Sequence, residues 1–484
     1  MILQYLDFSK VIKKYSGFPV LITSGRRFTY SEYFQLVQSA AERLTAAGVD
    51  SGERIAILSE NRPEILILIP ALWVIGAAAV PVSTRFPPNQ VTSLLYQIGV
   101  SKIVSADPDQ IHVHLKGFKN FDLSKIGILH EKIYPQKRPG LSRKLPFTQE
   151  ASVILTSGSS GRSKGVMHTI GNHFYNALGS RQNLPFGKGD RWLLSLPLYH
   201  VGGFAILIRA ILGGGAVVVP DSGMPLQAAL EKFHPTHISL VAAQLNRLLD
   251  NQTAIQHLQN TKAILLGGSA IPQNRIQKAF QLGLPIFVSY GSTEMASQVT
   301  ATQPGDDLKK LLSAGKVLPF REIRIGAGGE ILVKGQTLFK GYIRQNGIEI
   351  PFDDKGWFHT KDRGYFDENA CLHVTGRLDN RFISGGENIQ PEEIEHYLSQ
   401  FPGVKQVLVV PVPDEAFGER PAAFIKFEKE KIPDAETIRR FLQPKISRFK
   451  IPDYFFEWPP RIVSQGVKPS RQTFQKLAVR LINR

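Results

Sequence analysis

The chain of 484 residues carries 58 Lys and Arg against 41 Asp and Glu, a formal charge of +17, and 43% of it is hydrophobic. That length, with ordinary Gly and Pro content, predicts a globular protein of two or more packed domains and excludes collagen-like or low-complexity chains. The single Cys371 rules out an internal disulfide and a zinc site built of cysteines, which fits a reducing compartment.

The first eight residues include Asp7 and lack a basic start, an apolar stretch and a small-residue cleavage site, so no secretion and a cytoplasmic location are expected. Residues 20–30 read as a hairpin turning at Ser24-Gly25-Arg26, and Ser31 is expected to cap a helix whose Phe34, Val37, Ala41 and Leu44 recur at spacings of three and four. Residues 54–58 form a strand, Asn61-Arg62-Pro63 opens a helix, and residues 77–82 form a second strand, which is the β-α-β rhythm of a parallel sheet. The apolar run 65–82 is broken by Pro70 and Pro81, so it reads as a buried helix and strand and not as a membrane span. A helix over 88–98 leads into a strand at 102–105, and the basic, Pro-containing stretch 131–144 reads as a surface connection.

Next comes Thr156-Ser157-Gly158-Ser159-Ser160-Gly161-Arg162-Ser163-Lys164-Gly165, directly after the apolar run 153–155. Glycines let the backbone approach an anion closely, hydroxyls add donors, and Lys164 supplies a charge that can follow a polyphosphate as it leaves. The spacing is not that of a Walker A loop, because no Lys follows Gly161. Strands are expected near 153–156, 191–196, 216–219, 237–241, 263–266 and 285–289, separated by helix-length segments, which predicts an α/β fold with doubly wound parallel sheets. The phosphate loop, the Gly267-Gly268 turn and the Tyr290 segment all follow expected strands, so they converge on one sheet edge. After Gly315, short strands at 321–325, 330–333 and 372–374 indicate a small β subdomain. A compact α/β unit follows, with a helix near Pro391, strands at 404–411 and 421–427 and a helix over 434–442.

A strongly basic chain raises nucleic acid or an anionic membrane surface as a partner. Here the cations are scattered, with local clusters at 137–144 and 439–450 and no nucleic-acid module around them, so neither is expected as the principal role. The sequence leaves open whether copies associate into a homo-oligomer.

Three further segments accompany the phosphate loop: Tyr290-Gly291-Ser292-Thr293-Glu294, Trp357-Phe358-His359-Thr360-Lys361-Asp362-Arg363-Gly364, and Gly376-Arg377-Leu378-Asp379 leading to Ser384-Gly385-Gly386-Glu387-Asn388-Ile389. In this order and separation the four resemble the adenylate-forming superfamily of acyl-CoA synthetases, luciferases and peptide-synthetase adenylation domains, over essentially the whole chain. The resemblance implies an N-terminal domain over residues 1–377 and a smaller, mobile α/β domain over 378–484, hinged at Asp379. It implies ATP, Mg2+ and coenzyme A as cofactor and co-substrates of an AMP-forming acid-thiol ligase. It assigns Thr156, Ser157, Gly158, Ser159, Ser160, Gly161 and Lys164 to the β- and γ-phosphates, and Thr293 and Glu294 to the metal and the α-phosphate. Gly268, Ser269 and Ala270 with Tyr290 and Gly291 would take the adenine, and Asp362 and Arg377 the ribose. Lys468 would bridge the attacking carboxylate and the α-phosphate, and Ser384, Gly385, Gly386 and Glu387 would form the CoA tunnel after the domain turns.

Residues 192–203, 265–272 and 385–395 resemble more narrowly the o-succinylbenzoate-CoA ligases of menaquinone biosynthesis. In Gly466-Val467-Lys468 one residue separates the glycine from the lysine, a shift shared by some ligases of that kind. His200 matches a position beside the acyl pocket, and Gln244 and Ser292 are its other expected lining residues. Arg209 stands in the otherwise apolar stretch 204–212, where a buried guanidinium needs an anionic or strongly hydrogen-bonding partner. The implied substrate has two carboxylates, of which the succinyl one is activated, so Arg209 is the candidate for holding the aromatic one. The same motifs would serve an aryl or medium-chain acyl-CoA ligase, and a fold that has lost turnover is disfavoured by the intact Lys164, Glu294, Asp362 and Arg377.

Overall fold

The computed structural model describes residues 4–84, 88–106, 115, 117–123, 143–157, 163–345, 347–385, 387–428, 433–459 and 470–483. Among them, the first large sheet has eight strands in the order Gly347–Glu349, Gly341–Arg344, Ser163–Thr169, Glu150–Ser157, Ala78–Val82, Arg54–Leu58, Lys102–Ser105 and Lys119–Asp122. The last five pair in parallel, and the other end is antiparallel. The second large sheet has nine, in the order Lys316–Val317, Ser297–Ala301, Ile286–Ser292, Ala263–Leu266, His237–Leu240, Arg191–Leu193, Ala216–Val218, Pro19–Ile22 and Arg27–Thr29. Its centre is parallel and both edges are antiparallel. Every residue of His237–Leu240 and of Ala263–Leu266 is buried, as parallel strands covered on both faces require.

One core joins the two sheets through the helices Tyr30–Ala46, Pro63–Ile75, Ile170–Asn183 and Val201–Gly213. The first of these is capped by Thr29 and not by Ser31: the Thr29 side chain accepts from the Glu32 amide while Glu32 reaches back to the Thr29 amide, a complete capping box. The second carries Pro70 in its interior. Proline lacks the N–H that would bond the carbonyl four residues back, and the buried hydroxyl of Tyr33 donates to that carbonyl, Leu66, in its place.

Between the expected strands near 153–156 and 191–196 lies a strand the sequence reading did not anticipate, Ser163–Thr169, antiparallel to Glu150–Ser157. The helix comes one element later, at Ile170–Asn183. In that pairing Lys164 stands directly across from Thr156. Tyr290, Gly291 and Ser292 likewise lie inside the strand Ile286–Ser292 and do not follow it. A side chain at position 291 would place its Cβ 2.2 Å from the Ser297 carbonyl oxygen, so only glycine lets the two strands approach.

The β subdomain is a four-stranded antiparallel sheet of Arg321–Ile325, Glu330–Gly335, Phe358–Phe366 and Leu372–Arg377. Beyond it, the hairpin Phe382–Ser384 and Glu387–Ile389 precedes a sheet of Val404–Asp414, Gly418–Phe427 and Tyr454–Glu457. The helices Pro391–Leu398, Ala435–Leu442 and Arg471–Ile482 cover that sheet through two cores of its own. Polar contacts with the preceding part of the chain include Asn246 Nδ2 donating to the Lys405 carbonyl at 3.1 Å, Asn274 Nδ2 to that of Val404 at 3.0 Å, and Arg275 paired with Glu428 at 3.1 Å and Lys405 with Asp250 at 2.5 Å. Among the described residues no helix is long and apolar enough to cross a membrane.

Candidate active site

Three of the four sequence motifs meet directly, and Tyr342 links the fourth to them. On one side Tyr290 donates its hydroxyl to Asp362 Oδ2 at 2.6 Å, and Arg377 Nη1 donates to Asp362 Oδ1 at 3.1 Å. Asp362 and Arg377 stand opposite each other in neighbouring strands, and the Asp362 amide is fixed by the Thr360 hydroxyl at 3.0 Å. Arg377 also forks onto Asp379, Nε to Oδ1 at 2.8 Å and Nη2 to Oδ2 at 3.0 Å. One guanidinium thus links the ribose candidate to the hinge candidate. Its hydrogen bonds to Asp379 hold Arg377 above the usual guanidinium range, and burial followed by the Asp362 charge pushes the Tyr290 phenol well up.

On the other side Lys164 Nζ lies 4.6 Å from the centre of the Tyr342 ring, and the Tyr342 hydroxyl donates to Glu294 Oε1 at 2.8 Å. Thr293 and Glu294 form a single tight turn, Thr293–Met295. The Phe339 amide donates to the Glu294 carbonyl at 2.7 Å, and His168 Nε2 to the Thr293 carbonyl at 2.7 Å. A carbonyl only accepts, so the His168 proton sits on Nε2. Ser152 Oγ lies 3.4 Å from His168 Nδ1 and 2.8 Å from His173 Nε2, completing a buried chain behind the turn. Burial lowers His168 to about 4 and His173 well below its ordinary value, so both are neutral.

These residues fit a magnesium ion arriving with a nucleotide. Glu294 has a partner on Oε1 and none on Oε2 among the described residues, and the Thr293 hydroxyl is a second hard oxygen donor. No group of three or more His, Cys, Asp or Glu able to hold a metal occurs among the described residues, whereas Mg2+ needs only one or two carboxylates when phosphates supply the rest.

The acyl-pocket candidates divide. His200 stands at the N-terminus of Val201–Gly213, its ring 4.8 Å from that of Tyr199. The turn before it is pinned by Asn61, which donates to the Leu196 carbonyl and accepts from the Leu198 amide, both at 2.9 Å. The Ser292 hydroxyl is out of water with no partner among the described residues. Gln244 is committed at both ends, accepting from the Val241 amide at 3.1 Å and donating to the Ser195 carbonyl at 2.9 Å, so it shapes the wall and keeps little hydrogen bonding to spare. Gly268 and Ala270 are exposed and Ser269 half-buried at the end of Ala263–Leu266, where the expected adenine site lies.

Arg209 is only 5% exposed and has no carboxylate partner among the described residues. Its Nη2 donates to Gln298 Oε1 at 2.7 Å, its guanidinium carbon lies 5.0 Å from the centre of the Trp192 ring, and its Nε has no partner among the described residues. A second buried cation approaches the same glutamine: Arg321 Nε donates to the Gln298 carbonyl at 2.8 Å, Nη1 to the Pro319 carbonyl at 2.6 Å and Nη2 to the Asn176 carbonyl at 3.1 Å. Burial lowers Arg209 to about 10, and burial with the Arg209 charge lowers Arg321 to about 9. Gln298 Nε2 reaches Ser289 Oγ at 3.3 Å, next to Tyr290.

The expected Gly158, Ser159, Ser160, Gly161, Gly386 and Lys468, with most of the basic cluster 137–144, lie outside the described residues, as does the side chain of Ser157. Of the CoA-tunnel candidates, Ser384 is buried and accepts from Arg420 at 3.4 Å, Glu387 is exposed, and Gly385 has φ +56° with its amide on the Phe417 carbonyl at 2.9 Å. Sequence reasoning passed over Tyr342, His168, His173, Gln298 and Arg321, which carry no motif signal of their own.

A nucleotide-dependent enzyme that activates a carboxylic acid is the class this arrangement defines. The AMP-binding enzyme family matches residues 8–343 and its C-terminal domain residues 393–462, and the chain belongs to that family. It is 34% identical to a 2-succinylbenzoate--CoA ligase of Listeria monocytogenes over 437 residues, 89% of this chain and 90% of that one. Among solved structures it is similar to a variant of E. coli MenE with bound OSB-AMS, at 31% identity, TM-score 0.85 and 99% coverage of both chains. It is also similar to the O-succinylbenzoate coenzyme A synthetase of Bacillus subtilis in complex with ATP and magnesium ion, at 29% identity, TM-score 0.82 and coverage of 94% and 96%.

Proposed function

We propose that the chain ligates o-succinylbenzoate to coenzyme A through an acyl-adenylate, releasing AMP and pyrophosphate, as a step of menaquinone biosynthesis. The observation that carries this reading is Arg209, a buried guanidinium with no acid partner among the described residues, in a chain similar to 2-succinylbenzoate--CoA ligases. A buried cation of this kind wants an anion, and a dicarboxylate brings one more than the chemistry consumes.

In the first half-reaction an oxygen of the succinyl carboxylate attacks the α-phosphorus of ATP, and the bond to the β-phosphate oxygen breaks to release pyrophosphate. Both partners are anions, so catalysis consists of positioning and charge neutralisation. Magnesium supplies part of that charge when bound, with Thr293 and Glu294 as its holders. Thr156 to Lys164 take the β- and γ-phosphates, Lys468 bridges carboxylate and α-phosphate, and Asp362 with Arg377 orients the ribose. Tyr290 and the turn of Gly268, Ser269 and Ala270 bound the adenine. His200 and Ser292 line the acyl group, and Arg209 takes the ring carboxylate.

In the second half-reaction the CoA sulfur attacks the acyl carbon, the thiol proton leaves to solvent, and AMP departs. The smaller domain, residues 378–484, turns about Asp379 between the two steps and brings Ser384 to Glu387 to the adenylate. The thin, polar contacts of that domain favour such a turn, because they give up little apolar burial when they part.

The test is ATP- and CoA-dependent thioester formation followed by mass, with o-succinylbenzoate beside benzoate, a medium-chain fatty acid and no acid. Product from the dicarboxylate is expected, and turnover with monocarboxylates alone would discard the substrate assignment.

A further inference from the structure

We propose that Tyr342 is a positioning residue that holds the phosphate-following cation Lys164 and the acid Glu294 apart on one ring, so that neither is spent on the other. The inference rests on the nucleotide-binding reading above and names a residue that reading does not use.

The placement follows from the sheet. Tyr342 lies in Gly341–Arg344 directly opposite Val166 of the antiparallel strand Ser163–Thr169. Side chains two apart on a strand share a face, so Lys164 and Tyr342 are diagonal neighbours on the same side. Lys164 Nζ sits 4.6 Å from the ring centre, and the phenol at the ring's edge reaches Glu294 Oε1 at 2.8 Å. Contacts with Phe339 at 4.9 Å and Phe358 at 6.5 Å between ring centres fix the ring, which is only 6% exposed. Arg344 also lies 5.8 Å from the ring centre, but its guanidinium is paired with Glu349 at 2.6 Å.

A direct Lys164 to Glu294 ion pair would neutralise the ammonium meant for phosphate and the carboxylate meant for a metal. No such pair forms among the described residues, and the tyrosine supplies the alternative. Its ring face attracts a cation without cancelling the charge, and its neutral hydroxyl orients one carboxylate oxygen while leaving Oε2 open. A carboxylate oxygen accepts, so the hydroxyl is the donor in this contact.

The experiment uses the full chain as Tyr342→Phe and Tyr342→Leu, with circular dichroism and thermal melting to confirm folding. Binding of a non-hydrolysable ATP analogue is measured by calorimetry across a magnesium titration, and adenylate formation by ATP–pyrophosphate exchange. Tyr342→Phe keeps the seat for Lys164 and frees Glu294, so the magnesium concentration for half-maximal binding should rise about tenfold while metal-free binding stays unchanged. Tyr342→Leu also removes the seat, so metal-free binding weakens and the exchange rate falls about a further tenfold. Thioester formation from supplied acyl-adenylate and CoA should change in neither variant. Wild-type magnesium dependence in Tyr342→Phe, identical behaviour of the two variants, or an equal loss in both half-reactions would overturn the proposal. Analogue binding by wild type without activation of any acid would sink the ligase reading alone, whereas no analogue binding at all would sink both.

Discussion

Two groups of buried or half-buried arginines in this molecule are handled in opposite ways. Arg377 sits between two carboxylates, Asp362 and Asp379, which hold its charge above the usual range. Arg209 and Arg321 sit together around Gln298 with no acid partner among the described residues, and burial depresses both, to about 10 and about 9. Where charge is balanced inside the protein, the cation serves geometry and can exchange partners when a hinge turns. Where it is left unbalanced, each guanidinium relies on neutral acceptors: Arg321 uses three backbone carbonyls and Arg209 only the Gln298 side chain.

Breaking the unbalanced side gives the largest effect. Arg209→Met should lower kcat/KM for the dicarboxylate by about 1000-fold, ~4 kcal/mol, while the KM for ATP stays within about threefold. Steady-state kinetics with both substrates varied checks this, and equal losses for both would assign Arg209 a general structural role. Arg321 is the control on the same side. Its three donors each hold a backbone carbonyl, so Arg321→Met should cost ~3 kcal/mol of stability, whereas Arg209→Met, which removes one hydrogen bond and a desolvated charge, should stay within ~1 kcal/mol of wild type by urea unfolding.

The neutral histidines extend the contrast to pH. His168 is lowered to about 4 by burial, and an unfolded histidine binds its proton near 6.5. Below pH 6.5 the unfolded chain therefore takes up the proton first, so stability is full above about 6.5 and falls as pH drops toward 4. The loss from His168 alone is about 3 kcal/mol, readable as the shift of urea midpoints between the two ends of that window, and a flat profile would mean the imidazole is charged when folded. The balanced side gives the smallest effect. Asp379→Ala frees one fork of Arg377 and should slow thioester formation about tenfold, ~1.4 kcal/mol, while adenylate formation changes less than about twofold.

Much of this was legible in the sequence because it sits in contiguous motifs. Tyr290, Asp362 and Arg377 were picked out separately, and they hydrogen-bond to one another. The second buried cation was not legible, because Arg321 is one arginine in a polar-looking strand and meets Arg209 only through Gln298. Tyr342 and His168 are single residues whose roles depend on strand register and on contacts more than a hundred residues apart in the chain. One misreading did have a signal. Thr29 and Glu32 are a capping box three residues apart, which outranks an isolated Ser31. The antiparallel strand Ser163–Thr169 had none, since a Gly and Ser loop precedes a helix as readily as it turns a hairpin.

The central claim is that Arg209 waits for a carboxylate of the substrate. Its most direct test is a double cycle: kcat/KM for o-succinylbenzoate and for its analogue lacking the ring carboxylate, each with wild type and Arg209→Met. The account predicts that the two losses overlap, with a coupling of about 2 kcal/mol or more. Losses that simply add would mean that guanidinium and carboxylate never meet, and would contradict it.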